Sequence, residues 1–148
     1  MSQHTFLLQA GHWQATGTFY DHRGRAIPIQ GTADVSHEEE RWLNHSQMQL
    51  LTQPPLSFTT LYDIEPMEAN MESTIWETQH ASLGLMMGTL VVIEDCIIMS
   101  YAAEGGNYTG TETIRKIDEQ TYQSWGVLWL GDQKVSSWTA KLERIQTP

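Results

Sequence analysis

Six histidines are the first candidates for chemistry, because imidazole binds metal ions and moves protons near neutral pH. They stand at positions 4, 12, 22, 37, 45 and 80. No two of them have the His-x-His or His-Glu-x-x-His spacing that brings two ligands to one metal ion. We therefore predict no metal site. His80 has the phase of Trp76 in a predicted strand, so we place it on an interior wall.

The charged residues Glu112 and Arg115 form the sharpest local signal in the chain. In the segment that contains them, Tyr108 and Ile114 mark the apolar face, and that phase turns Glu112 inward. A one-residue bulge at Gly110 would instead turn Glu112 outward and Arg115 inward. Either phase delivers one charged group to the interior, where it needs a partner or a bound ligand.

Motifs for nucleophilic catalysis or nucleotide binding are missing from the sequence. It contains no Gly-x-Ser-x-Gly, no Gly-x-x-x-x-Gly-Lys-Ser/Thr and no Gly-x-Gly-x-x-Gly. Cys96 has no basic neighbour in the sequence to stabilise a thiolate, which favours a small buried residue over a reactive thiol. No catalytic residue can be assigned, and whether the protein is an enzyme stays open.

Composition narrows the classes of partner. The 148-residue chain has 8 Lys plus Arg against 18 Asp plus Glu, a formal charge of -10. Such an acidic surface repels phosphate backbones and anionic lipid, so we expect no nucleic-acid or membrane partner. The single cysteine excludes an intrachain disulfide and indicates a reducing compartment, which predicts a soluble cytoplasmic protein.

The elements that must position these residues are predicted to be strands. Short segments rich in β-branched and aromatic residues recur between Gly, Asn, Asp or Pro, which is typical of an all-β meander. The ten predicted strands are 12–20, 27–35, 41–51, 57–66, 73–80, 84–93, 96–103, 107–117, 121–130 and 134–145. Closure removes free strand edges, so we predict one domain, residues 1–148, folded as a closed up-and-down antiparallel β-barrel. A two-sheet sandwich is the alternative.

Residues 37–50 allow a second interpretation. Residues 36–39 resemble a helix capping box, and the apolar residues that follow could form one side of a helix. The strand interpretation puts Trp42, Ser46, Met48 and Leu50 on one face. We favour the strand, because a helix here would leave an odd number of strands that is awkward to close.

Alternation of apolar and polar residues predicts which side chains face inward. The predicted inward sets are Trp13, Ala15, Gly17 and Phe19 in the first strand, Trp125, Val127 and Trp129 in the ninth, and Trp138, Ala140 and Leu142 in the tenth.

Gly11-His12-Trp13 opens the first strand, and Arg144 lies near the end of the last. This pattern resembles the calycin superfamily, in which a Trp of the first strand packs beneath the barrel against an Arg or Lys of the last strand. Stacking of the Arg144 guanidinium on the Trp13 indole would then close one end. The helix-poor, ten-stranded layout is most similar to nitrobindin-type and bilin-lyase-type members. The likeness does not extend to haem ligation, because no histidine follows His80.

A ten-stranded barrel is wider than side chains readily fill, so we predict that it binds a small, largely apolar or aromatic molecule. The predicted ligand-binding residues are Phe19, Trp76, His80, Tyr101, Glu112, Arg115, Trp129 and Trp138. We assign no cofactor; the resemblance allows a bilin or another tetrapyrrole. One alternative is a bilin-lyase-like or isomerase activity on a bound chromophore. The other is a barrel filled by its own side chains that binds a protein partner.

Overall fold

The computed structural model describes residues 3–80 and 82–145, and its regular elements are all β-strands. The strands are β1 (Gly11–Tyr20), β2 (Ala26–His37), β3 (Trp42–Leu50), β4 (Leu56–Ile64), β5 (Ser73–His80), β6 (Gly84–Ile93), β7 (Cys96–Ala103), β8 (Tyr108–Asp118), β9 (Thr121–Leu130) and β10 (Gln133–Ile145). Residues 42–50 therefore form a strand, as favoured, and residues 38–41 connect it to β2. No helix in the described ranges is long and apolar enough to cross a membrane.

The ten strands close into a ring. Each strand pairs antiparallel with its neighbours in the chain, and β1 also pairs with β10 along its length. The predicted closed up-and-down barrel is confirmed. Closure leaves the inner faces of all ten strands around one interior, which is where a ligand site can form.

Trp13 and Arg144 meet at the end of the barrel where β1 begins and β10 ends, which we call the closed end. They are directly opposite each other in the β1–β10 pairing, and Arg144 Cζ lies 5.8 Å from the centre of the Trp13 ring. Trp13 is fully buried. The guanidinium also donates to the Ala10 carbonyl at 3.1 Å and to the Gln9 side-chain oxygen at 3.3 Å. The predicted stack is present.

We expect Arg144→Ala to lower the free energy of unfolding by about 1–2 kcal/mol, through the lost cation–π contact and the lost packing of the side-chain stem. Arg144→Lys should restore part of this loss. Urea denaturation followed by tryptophan emission measures both. Arg23→Ala, in an exposed turn, is the control; equal stability of the two alanine variants would contradict the stack.

The ring is weakest between β4 and β5. These strands share three residue pairs, from Tyr62–Thr78 to Ile64–Trp76, whereas β3 and β4 share nine. Toward the opposite end of the barrel, which we call the open end, β4 pairs with no described residue on its β5 side. The Thr78 hydroxyl donates to the Leu61 carbonyl at 2.6 Å, next to the last residue pair.

Candidate ligand-binding site

Two adjoining cavities occupy the barrel interior. The inner chamber, of about 250 Å³, extends from the closed end, where Phe6, Leu7 and Leu142 line it, along β1 and β3 to Phe19 and Leu50. The outer chamber, of about 370 Å³, lies toward the open end, where His80, Leu83 and other residues line it. Both chambers are lined by Phe19, Phe58, Tyr62, Met99, Glu112 and Trp138. The interior therefore has room for a ligand and is not filled by side chains.

Glycines hold three aromatic rings flat against the barrel wall. Each ring is directly opposite a glycine on the next strand, in the pairs Trp76–Gly88, Tyr101–Gly110 and Trp138–Gly126. A Cβ atom at Gly126 would lie 2.1 Å from Trp138 Cζ2, and one at Gly110 would lie 2.3 Å from Tyr101 Cζ. Because the glycines have no side chain, the rings cover the wall and leave the centre of the barrel open.

Gly126→Ala should therefore displace the Trp138 indole. Overpacking of this kind costs about 1–3 kcal/mol of stability. A second substitution, Trp138→Leu, should remove most of that cost in the Gly126→Ala background, because it removes the atoms that clash. Thermal or urea denaturation of the two single variants and the double variant measures the coupling. Additive losses would contradict the packing of the indole on the glycine.

Glu112 is the charged group of the interior. The Trp138 indole N–H donates to Glu112 Oε2 at 3.2 Å. Burial raises the pKa of Glu112, and the bond from Trp138 opposes that change. Burial and the charge of Glu112 also raise the pKa values of Tyr62 and Tyr101 well above their usual range. The centre of the barrel thus combines one carboxyl group with two phenols.

These phenols are free to bind a ligand. Within the described ranges, the hydroxyls of Tyr62 and Tyr101 make no hydrogen bond to the protein, and Glu112 has a single donor. The Trp76 ring contacts both phenol rings. Its centre is 5.4 Å from the centre of the Tyr62 ring and 5.7 Å from that of Tyr101. A ligand in this region would meet aromatic faces and a few unsatisfied polar atoms, as small-molecule sites generally offer.

His80 adds a neutral imidazole to the outer chamber. Its Nδ1 accepts backbone N–H groups of Ser82 at 3.1 Å and Leu83 at 3.2 Å, so its hydrogen is on Nε2. Burial lowers the pKa of His80, which favours this neutral form. His80 and Glu112 line the same cavity, so an imidazole N–H donor and a carboxyl group are present in one chamber.

The structure brings most of the predicted site residues together. The members that line the outer chamber are Phe19, Trp76, His80, Tyr101, Glu112 and Trp138. Glu112 also lines the inner chamber, deeper in the barrel.

The placement of Trp129 in the interior was wrong. Trp129 and Trp125 are on the outer face of β9, with 37% and 46% of their surface exposed. The inward residues of β9 include Ser124, Gly126 and Leu128. The reason is steric: the Trp138 ring on β10 needs the space over Gly126, so the alternation of β9 is shifted by one residue from the predicted phase.

Arg115 is not in the interior either. Its side chain is exposed, and its Nε donates to Asp95 Oδ2 at 3.1 Å. Gly110 does not produce a bulge, because it pairs directly with Tyr101; the irregularity of β8 lies further on, between Lys116 and Asp118. Of the two phases that the sequence allowed, the one with Glu112 inward is therefore correct.

The sequence interpretation also missed several interior residues. Tyr62 was not among the predicted ligand-binding residues, and neither were three polar residues of the inner chamber. They are Asn44, Ser46 and Ser124. Their positions in the alternation were the available signal: Asn44 and Ser46 have the phase of Met48 on β3.

Two solved structures superpose on this chain over most of its length and show the same fold. The S-type phycobiliprotein lyase CPES from Guillardia theta superposes with a TM-score of 0.67 at 6% identity, over 95% of this chain and 90% of that one. Rv2717c from M. tuberculosis gives a TM-score of 0.67 at 14% identity, over 93% and 92%. The barrel is calycin-like. No protein-family model and no curated protein matches the chain.

The polar groups that line the chambers are few. Among residues 3–80 and 82–145, no three His, Cys, Asp or Glu side chains are close enough to hold a metal ion. The chemical resources of the barrel are the Glu112 carboxyl group, the phenols beside it and the His80 imidazole. They suit recognition or proton transfer on an organic ligand.

Proposed function

We propose that the chain binds a flat, largely apolar ligand that carries an N–H donor or a positive charge. The observation that carries this proposal is Glu112, a carboxyl group in the middle of an aromatic-walled cavity with one indole N–H as its donor. A buried carboxylate is costly unless its remaining lone pairs are satisfied. A ligand N–H in the barrel would satisfy them.

A bilin has the required N–H donors, and its two propionate groups would have to stay in solvent at the open end, away from Glu112. It is a flat conjugated molecule whose pyrrole N–H groups can donate to a carboxylate, while its faces pack on aromatic rings. The likeness in fold to a phycobiliprotein lyase supports this ligand class. The Trp76 and Trp138 faces in the outer chamber offer the matching surface.

Titration with biliverdin tests the proposal. We expect saturable quenching of tryptophan emission, with much of the quenched emission coming from the interior indoles. The variants Trp76→Phe and Trp138→Phe should reduce the quenched fraction. Trp129→Phe, which changes an indole on the outer face, is the matched control. Quenching that disappears only in Trp129→Phe would place the ligand outside the barrel and contradict the proposal.

A second candidate is transfer of the bound chromophore to an acceptor protein, as the activity of the structural neighbour suggests. The observation in its favour is that His80 and Glu112, a neutral imidazole with an N–H donor and a carboxyl group, line one chamber. Incubation with the bilin and a bilin-free phycobiliprotein subunit, followed by intact-mass measurement, tests it. We expect faster adduct formation than without the protein, and a lower rate in His80→Phe. Equal rates with and without the protein would exclude this activity.

A further inference from the structure

The inner chamber contains a polar group that the aromatic site does not use. Asn44 lines this chamber, is 8% exposed, and its Oδ1 is buried without a hydrogen-bond partner. Within the described ranges no residue bonds the side-chain nitrogen either. Whichever way the amide is turned, both of its polar ends are unsatisfied. A buried amide without partners costs free energy that a bound group could recover.

Two hydroxyls accompany the amide. Ser46 follows Asn44 on the inward face of β3, and Ser124 lies on β9 between Ile114 of β8 and Ala140 of β10. Ser124 is 2% exposed, and neither hydroxyl bonds a described residue. Besides Thr32, Tyr62 and Glu112, the lining thus includes three uncharged polar side chains, those of Asn44, Ser46 and Ser124.

The charge of the chamber restricts what it can bind. Glu112, at the boundary with the outer chamber, is the one charged residue in its lining. An ionised group placed deeper would have no opposite charge and would be costly to bury. A purely alkyl group would leave the Asn44 amide unsatisfied. The chemistry left is a neutral group that both donates and accepts hydrogen bonds.

We propose that the inner chamber is a second subsite, in which Asn44 binds a neutral carboxamide or hydroxyl group at the end of the ligand. This inference rests on the proposed function for the rest of the molecule, which occupies the outer chamber and reaches Glu112. The ligand is then bipartite: a flat head with an N–H or ammonium group, and a short uncharged tail with a terminal hydrogen-bonding group. Asn44 is a specificity residue for the tail.

The experiment uses three synthetic ligands with one head. Each is a naphthylmethyl ammonium whose nitrogen also carries a butyl, a 3-hydroxypropyl or a 2-carbamoylethyl tail, so that the tails have similar size. We expect the two polar tails to bind about tenfold more tightly than butyl, which corresponds to one satisfied buried group. In Asn44→Leu the order should reverse. The control is Asn107→Leu, an exposed position in a turn, which should keep the parent's order.

The outcomes separate the subsite from the aromatic site. Glu112→Gln should weaken all three ligands and preserve the ratio between tails. A tail ratio that is unchanged in Asn44→Leu, or equal to one in the parent, would overturn the subsite while leaving the head site intact. That result would mean that water alone occupies the inner chamber.

If none of the three ligands binds, a small amide that lacks the naphthylmethyl ammonium head tests the subsite. Butyramide alone should raise the thermal midpoint of the parent in a concentration-dependent way, since a ligand that binds the folded state stabilises it. The same shift in Asn44→Leu and Ser124→Ala as in the parent would overturn the subsite. Ser124→Ala is a small change that keeps the chamber apolar and serves if the leucine variant does not fold.

Discussion

In Glu112→Gln, the preference of the barrel for ammonium ligands over carboxylate ligands of the same shape should disappear. In the parent protein the preference should be about 5- to 150-fold, the equivalent of 1–3 kcal/mol for a buried charged hydrogen bond. The reason is that Glu112 is the one charged residue in the linings of the two chambers. A ligand carboxylate would oppose it, whereas an ammonium group would neutralise it.

Competition titrations of matched amine and carboxylate hydrophobes, read by tryptophan quenching, measure this preference. Glu77→Gln is the control, because Glu77 is an exposed residue of β5 and removes the same charge from the outside. Stronger binding of carboxylates by the parent would contradict the role of Glu112. An equal loss of preference in Glu77→Gln would mean that net charge, rather than the interior carboxyl group, decides the selection.

The same variant should change the pH dependence of stability. Because burial raises the pKa of Glu112 above its ordinary 4.5, the folded protein binds this proton more tightly than the unfolded chain does. Stability is therefore lost as the pH rises from about 4.5 through the folded value. The Glu112→Gln variant has no carboxyl group at this position to ionise, so its stability does not fall in this pH range. It should therefore be more stable than the parent at neutral pH and lose this advantage toward pH 4. Chemical denaturation at several pH values measures the difference.

The fold could be predicted more fully than the site, because the alternation of apolar and polar residues that marks a strand is visible within the strand's own sequence. Alternation and turn residues such as Gly131, whose φ is 61°, mark each strand and each connection without reference to the rest of the chain. The meeting of Trp13 with Arg144 then follows from an even number of strands. Ten correctly placed strands therefore gave the barrel and its closed end.

The site depends on side-chain contacts between strands, and the sequence of one strand does not predict them. Trp129 looks as suitable for the interior as Trp138 does, and only the placement of Trp138 over Gly126 decides between the two phases of β9. A search for an aromatic residue opposite a glycine across each predicted hairpin would have found the correct phase. Asn44 could have been placed by the phase of Met48 on β3, whereas Ser124 could not, because the predicted phase of β9 put the tryptophans inward and Ser124 outward.

The least expected feature is the segment 3–10, which closes one end of the barrel. Phe6 and Leu7 are buried there, and Phe6 packs edge-on against Trp13 with ring centres 5.2 Å apart. The His37 ring donates to the Leu7 carbonyl, with its Nε2 at 2.7 Å. Non-periodic segments of this kind are invisible to a strand pattern, yet this one forms the floor of the inner chamber.

Tyr122→Phe should release this segment. The fully buried Tyr122 hydroxyl is 2.8 Å from His4 Nδ1 and accepts the backbone N–H of Thr5 at 3.0 Å. His4 Nε2 donates to the Glu94 carbonyl, so Nδ1 of the neutral ring accepts the Tyr122 hydrogen. Burial lowers the pKa of His4, in keeping with the neutral ring.

Removal of the Tyr122 hydroxyl takes this partner from three groups, His4 Nδ1 and the backbone N–H groups of Thr5 and Phe6, at a cost of about 2–4 kcal/mol. Denaturant unfolding measures this loss, and amide hydrogen exchange should show that residues 4–8 lose protection first, because the lost bonds hold that segment. Tyr108→Phe is the matched control, since Tyr108 is a partly exposed residue at the start of β8.

If the loss of stability in Tyr122→Phe left the exchange of residues 4–8 unchanged, the hydroxyl would support the barrel wall rather than the segment. The inner chamber would then keep its floor, and affinity for tailed ligands would stay at the parent's value. If the segment is released, that affinity should fall together with the protection, because Phe6 and Leu7 line the chamber that receives the tail.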